Sequence, residues 1–131
     1  MTLARLMAST PLHVAVGVAA MGGWAAFANA AHGPRAMLLA ALVQGAISGL
    51  LTLGLKRSVD WMRPRLRRLL GYWVPPLAAI CGSALLLVTA HLAAGTPEVG
   101  HTVAVPLAVS LCYIFAYNIL RQHRAGRTWN G

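Results

Sequence analysis

A polar stripe with a spacing of four residues interrupts one otherwise apolar stretch of the sequence. Its members are Gln44, Ser48, Thr52 and Lys56. Residues four apart lie on one face of an α-helix. A row of hydroxyl and amide groups that ends in a cation could bind an amphiphile with an anionic head. The polar groups and the cation would contact the head, while the tail stays in lipid. Hydrogen bonding between helices explains Gln44 and Ser48 equally well, because such contacts are ordinary in membrane proteins.

A second stripe lies towards the end of the chain. Its members recur at steps of three or four and are Ser110, Tyr113, Tyr117 and Arg121. We predict that the two stripes face each other in a polar seam between the second and fourth helices. Lys56, Arg57 and Arg121 would lie at its basic mouth, where an arginine fork can bind two phosphate oxygens. For Ser110, ordinary hydrogen bonding between helices is again the alternative.

A dense basic segment follows the first stripe. It holds six of the eleven cations in the chain, at positions 56, 57, 63, 65, 67 and 68. We predict a basic cytoplasmic loop over residues 56–73 that includes a short interfacial helix, with Pro75 and Pro76 starting the next helix. Four of its cations would contact anionic lipid head groups, at about 1 kcal/mol each. They are Arg63, Arg65, Arg67 and Arg68.

Patterns that indicate enzyme chemistry are absent from the sequence. Asp60 and Glu98 are the only acids, and both are predicted to lie in loops. The histidines do not share a face at metal-ligand spacing, and no nucleophile adjoins a base. Cys81 and Cys112 fall inside apolar segments. We therefore predict no enzyme activity, no cofactor and no metal site.

The elements that position these residues follow from composition. The chain is 58% hydrophobic and only 10% charged, and its net charge is +9. In a soluble protein such a charge would suggest nucleic acid, but here the cations lie between apolar runs, which indicates a membrane. Four runs are each about 20 residues long, enough to span the hydrocarbon core as helices. They cover residues 11–31, 36–55, 75–95 and 101–120.

The distribution of cations predicts the orientation of this all-α membrane protein. Cations flank the chain ends and fill the segment between the second and third helices, whereas the loop between the third and fourth helices has none. Arg35, between the first and second helices, is the one exception. The positive-inside rule then places both termini in the cytoplasm. "GGWAAFANAAH" (22–32) and "CGSALLLVTAH" (81–91) also match weakly. We predict one transmembrane domain over 1–131, built as two hairpins in a parallel repeat.

The closing segments of the two hairpins are "LKRSVDW" (55–61) and "YNILRQHR" (117–124). With four helices in about 130 residues, they make the chain resemble the GtrA-like family of small bacterial membrane proteins. The resemblance implies that the protein binds or moves a polyprenyl phosphate, or its glycosylated form, across the inner membrane for cell-surface polysaccharide synthesis. By this resemblance, four residues would contact the lipid phosphate. They are Lys56, Arg57, Asn118 and Arg121.

Partners and alternatives follow from the size of the bundle. Four helices can hardly enclose a sugar, so we predict a homodimer, a complex with a membrane glycosyltransferase, or both. Gly45 and Gly49 form a small-residue groove that allows close helix packing, and we predict the dimer contact there. One alternative is a small multidrug-type exporter, although that class needs an acid in its first helix and none is present here. Another is a non-transporting assembly subunit of a glycosyltransferase.

Overall fold

The computed structural model describes residues 10–127, which form four α-helices. The helices are α1 (Thr10–Ala28), α2 (Pro34–Met62), α3 (Arg68–Ala93) and α4 (Val99–Arg127). Short 3₁₀ turns, Ala30–His32 and Arg63–Arg65, follow α1 and α2, and there is no strand within residues 10–127. The prediction of an all-α protein is confirmed.

Three of the helices are long and apolar enough to cross a membrane, as in a multi-pass membrane protein. The suitable stretches are Pro34–Arg65, Leu69–Ala93 and Val99–Gln122, and α1 contains a shorter apolar stretch, Val14–Ala28. The outside of the bundle is apolar: Phe27 and Leu69 are 72% and 74% exposed. Gln44, His91 and Asn118 are fully buried instead. Apolar side chains outside and paired polar groups inside are what a lipid environment favours.

The helices pack as two hairpins. α1 packs most extensively on α2, and α3 packs most extensively on α4. α2 and α4 contact each other and both outer helices, whereas α1 and α3 do not meet within the described residues. Buried side chains form two layers between the helices. One layer holds Leu55, Val59, Ala79 and Ile114, and the other holds Ile47, Leu87 and Val103.

The basic segment is largely helical, which replaces the predicted loop over residues 56–73. α2 continues to Met62, and α3 already begins at Arg68. Lysine and arginine are good helix formers, and Leu55 and Val59 on the same turns are buried in the core. The chain leaves the helix only near Pro64, and Leu66 is extended.

Pro75 and Pro76 lie inside α3 rather than at its start. A proline inside a helix removes a backbone donor, so the helix needs another donor at this point. The structure supplies one from α4, as described below for Asn118.

The small-residue face of α2 packs against α1 of the same chain. A methyl group added at Gly45 would lie 3.3 Å from Val18 Cγ1, and one added at Gly49 would lie 3.3 Å from Val18 Cγ2. The short connection between the helices brings α1 onto this face. The dimer contact predicted at Gly45 and Gly49 is therefore occupied within the chain.

Candidate functional site

A cavity of about 270 Å³ lies between α1, α2 and α4, and we call it the seam cavity. Four residues of the predicted polar seam line it: Ser48, Thr52, Ser110 and Tyr113. The wall that α1 contributes is apolar and includes Val16, Ala20 and Met21. The Thr52 hydroxyl donates to the Ser48 carbonyl at 2.8 Å. The structure thus brings two hydroxyls from each stripe to one apolar space.

Lys56 lies beside Tyr113, one of the residues that line the seam cavity. Its Nζ is 5.9 Å from the ring centroids of both Tyr113 and Tyr117. The two rings stack, with centroids 6.4 Å apart and planes 17° apart. A cation over aromatic faces is held by the negative potential of the rings and keeps its charge available to an anion.

Gln44, predicted in the seam, connects α2 to α3 instead. Its Oε1 lies 2.9 Å from His91 Nε2, and its Nε2 donates to Ser48 Oγ at 3.0 Å. His91 Nδ1 lies 2.9 Å from Thr96 Oγ1. Because an amide oxygen only accepts, His91 donates through Nε2 and accepts the Thr96 hydroxyl at Nδ1. We call Gln44, His91, Ser48 and Thr96 the buried polar network.

Sequence reasoning missed the role of His91, because it considered the histidines as possible metal ligands. The partner Gln44 lies 47 residues away, so no local spacing indicates the pair. The only available signal is a histidine inside an apolar run, and an unpaired polar group at membrane depth is unfavourable.

Tyr117 and Arg121 bind the acid at the basic end of the bundle. The Tyr117 hydroxyl donates to Asp60 Oδ2 at 2.8 Å, and Arg121 Nε donates to Asp60 Oδ1 at 3.1 Å. Asp60 lies in α2 rather than in a loop. Both carboxylate oxygens are engaged, so Arg121 is part of an ion pair between α2 and α4.

Asn118 supplies the donors that α3 lacks. Its Nδ2 donates to the carbonyls of Gly71 and Tyr72, each at 2.9 Å. In a regular helix these carbonyls would accept from residues 75 and 76, which are prolines. Asn118 is fully buried, and both of its amide protons are used. The structure thus gives Asn118 a packing role between helices, which replaces the predicted contact with a lipid phosphate.

Arg57 lies on a different side of α2 from Lys56. It lines an open groove of about 680 Å³ between α2 and α3, which we call the α2–α3 groove. Arg121 and Asn118 line neither this groove nor the seam cavity. The structure therefore does not bring the four predicted phosphate-binding residues together, and only Lys56 adjoins the seam cavity.

The arginines predicted to contact anionic lipid belong to the turn between α2 and α3, apart from Arg68. Arg65 and Arg67 are exposed. The Arg65 guanidinium lies 4.2 Å from the ring centroid of Trp61 and donates to the Trp61 carbonyl. Arg63 is half-buried and donates to the Arg121 carbonyl at 3.4 Å. The side chain of Arg68 lies outside the described residues.

A polar cluster at the opposite end joins α1 to α4. Asn29 Nδ2 donates to Thr102 Oγ1 at 2.8 Å, and Asn29 Oδ1 accepts the Glu98 N–H at 3.1 Å. His32 and His101 contact the Glu98 carboxylate at 3.1 Å and 3.3 Å. Among the described residues, no group of three or more His, Cys, Asp or Glu side chains could hold a metal ion. These hydrogen bonds and ion pairs link the two hairpins at this end.

Comparison of the chain with family models, with curated proteins and with solved structures finds no match. Membership of the GtrA-like family therefore stays a prediction from the two closing segments. The candidate site stands on its own geometry, namely a small, mostly apolar cavity with four hydroxyl-bearing residues in its wall and Lys56 beside one of them, Tyr113.

Proposed function

We propose that this protein binds a lipid with an anionic phosphate head in the seam cavity. The lipid is a polyprenyl phosphate or its glycosylated form, which the protein moves across the bacterial inner membrane for cell-surface polysaccharide synthesis. The observation that carries the proposal is that Ser48, Thr52, Ser110 and Tyr113 share one apolar cavity with Lys56 beside it.

The chemistry of the cavity supports an amphiphile rather than a free sugar. The Thr52 hydroxyl donates to the Ser48 carbonyl, and the Ser48 hydroxyl accepts from Gln44. No described residue hydrogen-bonds the hydroxyls of Ser110 and Tyr113. These two hydroxyls can bind phosphate oxygens while Lys56 balances the charge. The volume of about 270 Å³ is just below the range of about 300–1,000 Å³ for small-molecule sites. The cavity therefore accommodates the head-proximal part of the lipid, and the rest of the tail stays in the bilayer.

The proposal includes four spans, arranged as two hairpins with both termini in the cytoplasm. α1 has 19 residues, or about 28 Å at 1.5 Å per residue, close to the hydrocarbon thickness. The turn after α2 carries Arg63, Arg65 and Arg67, whereas the connection between α3 and α4 carries Glu98 and no Lys or Arg. This difference supports a cytoplasmic location for the basic turn.

Cysteine labelling tests the orientation. In a chain with Cys81→Ala and Cys112→Ala, we expect Pro97→Cys to react with a membrane-impermeant maleimide in intact spheroplasts. Arg65→Cys should react only after permeabilisation, because the basic turn faces the cytoplasm. Reaction of Arg65→Cys alone in intact spheroplasts, or of both cysteines, would contradict the proposed orientation.

Partners remain part of the proposal. A four-helix chain with so small a cavity cannot surround a sugar, so a second copy or a membrane glycosyltransferase would complete the path. The Gly45–Gly49 face is filled by Val18, and a partner therefore has to use another face of the bundle.

Native mass spectrometry of the protein, purified gently from its own membranes, tests lipid binding. We expect a bound polyprenyl phosphate or glycosyl-polyprenyl phosphate. Lys56→Gln should reduce its occupancy about fivefold, the effect of one cation near a membrane surface. Ala20→Leu should reduce it further, because Ala20 lines the cavity and the larger side chain would fill the space.

Matched control variants exclude effects on folding. Arg35→Gln removes a cation at the opposite end of the bundle, and Ala19→Leu adds the same volume at a residue that does not line the cavity. Both should keep wild-type occupancy. Bulk phospholipid alone, with a protein partner at a fixed ratio, would contradict the proposal and favour an assembly subunit.

A further inference from the structure

The α2–α3 groove has no part in the function proposed above. Its α2 wall extends from Leu51 to Met62, eleven residue steps or about 16 Å along the helix axis. Ala78 and Gly82 contribute to its α3 wall. Its volume of about 680 Å³ lies within the range of ligand-binding sites. The groove therefore offers enough room for a bound molecule.

The length of the groove indicates what kind of molecule fits. The hydrocarbon core is about 30 Å thick, so one leaflet contributes about 15 Å. From Leu51 to Arg57 the groove runs six residue steps, or about 9 Å along the helix axis. This part lies within one leaflet, at the end of α2 that leads to the basic turn. It matches the head-proximal part of an acyl chain of a lipid in that leaflet.

The polarity of the groove points to the same class of ligand. The hydroxyls of Ser58 and Ser83, which line it, donate to carbonyls of their own helices at 2.9 Å and 2.8 Å. They therefore require no polar partner, and the wall behaves as an apolar surface. Arg57 is the one charged residue in the lining, and a guanidinium there can bind a phosphate with two donors.

Arg57 has no acidic partner, because both acids of the chain bind other residues. Asp60 binds Tyr117 and Arg121 on the other side of α2, and Glu98 binds His32 and His101 at the opposite end of the bundle. Trp61, 62% exposed, stands beside Arg57 in the groove lining. An indole at this level is typical of the head-group region. An anionic head group is the complement of the Arg57 guanidinium at this level.

We propose that the α2–α3 groove binds an anionic phospholipid, with its phosphate at Arg57 and one acyl chain along the groove. The site is distinct from the seam cavity, because Leu51 and Leu55 form a wall between the two. The bound phospholipid comes from the leaflet at the basic end. It covers an apolar surface of α2 and α3 that the chain leaves open.

Reconstitution with defined lipids tests this proposal. The delipidated full chain is placed in nanodiscs of equal parts phosphatidylglycerol and phosphatidylcholine, extracted, and examined by native mass spectrometry. We expect retained phosphatidylglycerol in excess over phosphatidylcholine. Arg57→Gln should lower that retention about fivefold. Gly82→Leu should abolish it, because a Cβ at Gly82 meets no atom within 4 Å and the side chain can occupy the groove.

Two controls and three contrary outcomes complete the experiment. Gly23→Leu also meets no atom within 4 Å of its Cβ but lines neither space, so it should retain phosphatidylglycerol, as should Arg35→Gln. Equal retention of the two lipids, or retention unchanged in Arg57→Gln and Gly82→Leu, would overturn the proposal. So would a lipid-free dimer that Gly82→Leu converts to a monomer, because a second copy would then occupy the groove. Loss of bound polyprenyl phosphate in Lys56→Gln reports on the seam cavity alone. A failure of the proposed function can therefore be distinguished from a failure of the groove proposal.

Discussion

Replacement of Asn118 by leucine should lower the free energy of unfolding by about 2–5 kcal/mol, because the carbonyls of buried Gly71 and half-buried Tyr72 each lose a donor. In a chain that also carries Pro75→Ala and Pro76→Ala, the same replacement should have less than half of this effect. The difference between the two backgrounds is the expected result, because it isolates the bonds to Gly71 and Tyr72 from the packing of the side chain.

The physical reason lies in the pairing of two prolines with one amide. Pro75 and Pro76 remove the N–H groups that would reach the carbonyls four residues earlier. Because Gly71 is buried and Tyr72 is half-buried, water has little access to these carbonyls, and a neighbouring helix supplies the donors. Asn118 Nδ2 carries two protons and donates one to each carbonyl at 2.9 Å. Alanines at 75 and 76 restore the backbone donors and make the amide largely dispensable.

Reversible unfolding in mixed detergent micelles measures this double-mutant cycle. Three variants are compared with the wild type: Asn118→Leu alone, the Pro75→Ala/Pro76→Ala chain, and the triple variant. Ile119→Ala, an exposed neighbour on α4, controls for general effects on that helix and should change stability little. Equal losses from Asn118→Leu in both backgrounds would mean that Asn118 acts through packing alone.

The apolar pattern of the sequence predicted the helices but not their ends. Residues 36–55 and 101–120 lie inside α2 and α4, and both helices extend well beyond those runs. Hydropathy marks the part of a helix that can contact lipid, whereas the helix itself continues while backbone bonds and core contacts continue. Lys56 and Arg57 end the apolar run, yet Val59 on the next turn is fully buried. The sequence alone does not show that Val59 reaches the core.

The seam could be predicted in part because helical periodicity is local. A helix turns about 100° per residue, so each step of four residues drifts by about 40°. From Gln44 to Lys56 the stripe therefore winds through about 120°. This drift is why Gln44 faces α3 while Lys56 lies over the tyrosines of α4. Lys56 and Arg57, neighbours in sequence, are about 100° apart and belong to different spaces. Which helix stands at each angle depends on the packing of the whole bundle.

Loss of the Gln44–His91 contact should have the second largest effect on stability. Gln44→Leu leaves the His91 Nε2 proton and the Ser48 hydroxyl without their partners inside the bundle. We expect it to lower the free energy of unfolding by about 1–3 kcal/mol, the penalty for unsatisfied buried polar groups. Thr89→Val is a matched control on α3, because the Thr89 hydroxyl is exposed and bonds only within its own helix. It should change stability by less than about 0.5 kcal/mol.

The double variant Gln44→Leu/His91→Leu distinguishes a specific bond from two independent losses. Replacing both partners of a hydrogen bond by apolar groups removes the orphaned donor and acceptor together, and the net change can approach zero. We therefore expect the double variant to be less destabilised than the sum of the single variants, by about 1–2 kcal/mol, near the upper end for hydrogen bonds between membrane helices. Thr96 still donates its backbone N–H to the residue 91 carbonyl, so the turn after α3 keeps its geometry. Strictly additive losses would show that Gln44 and His91 are stabilised separately, and that the link between α2 and α3 rests on the apolar layer of Ile47, Leu87 and Val103.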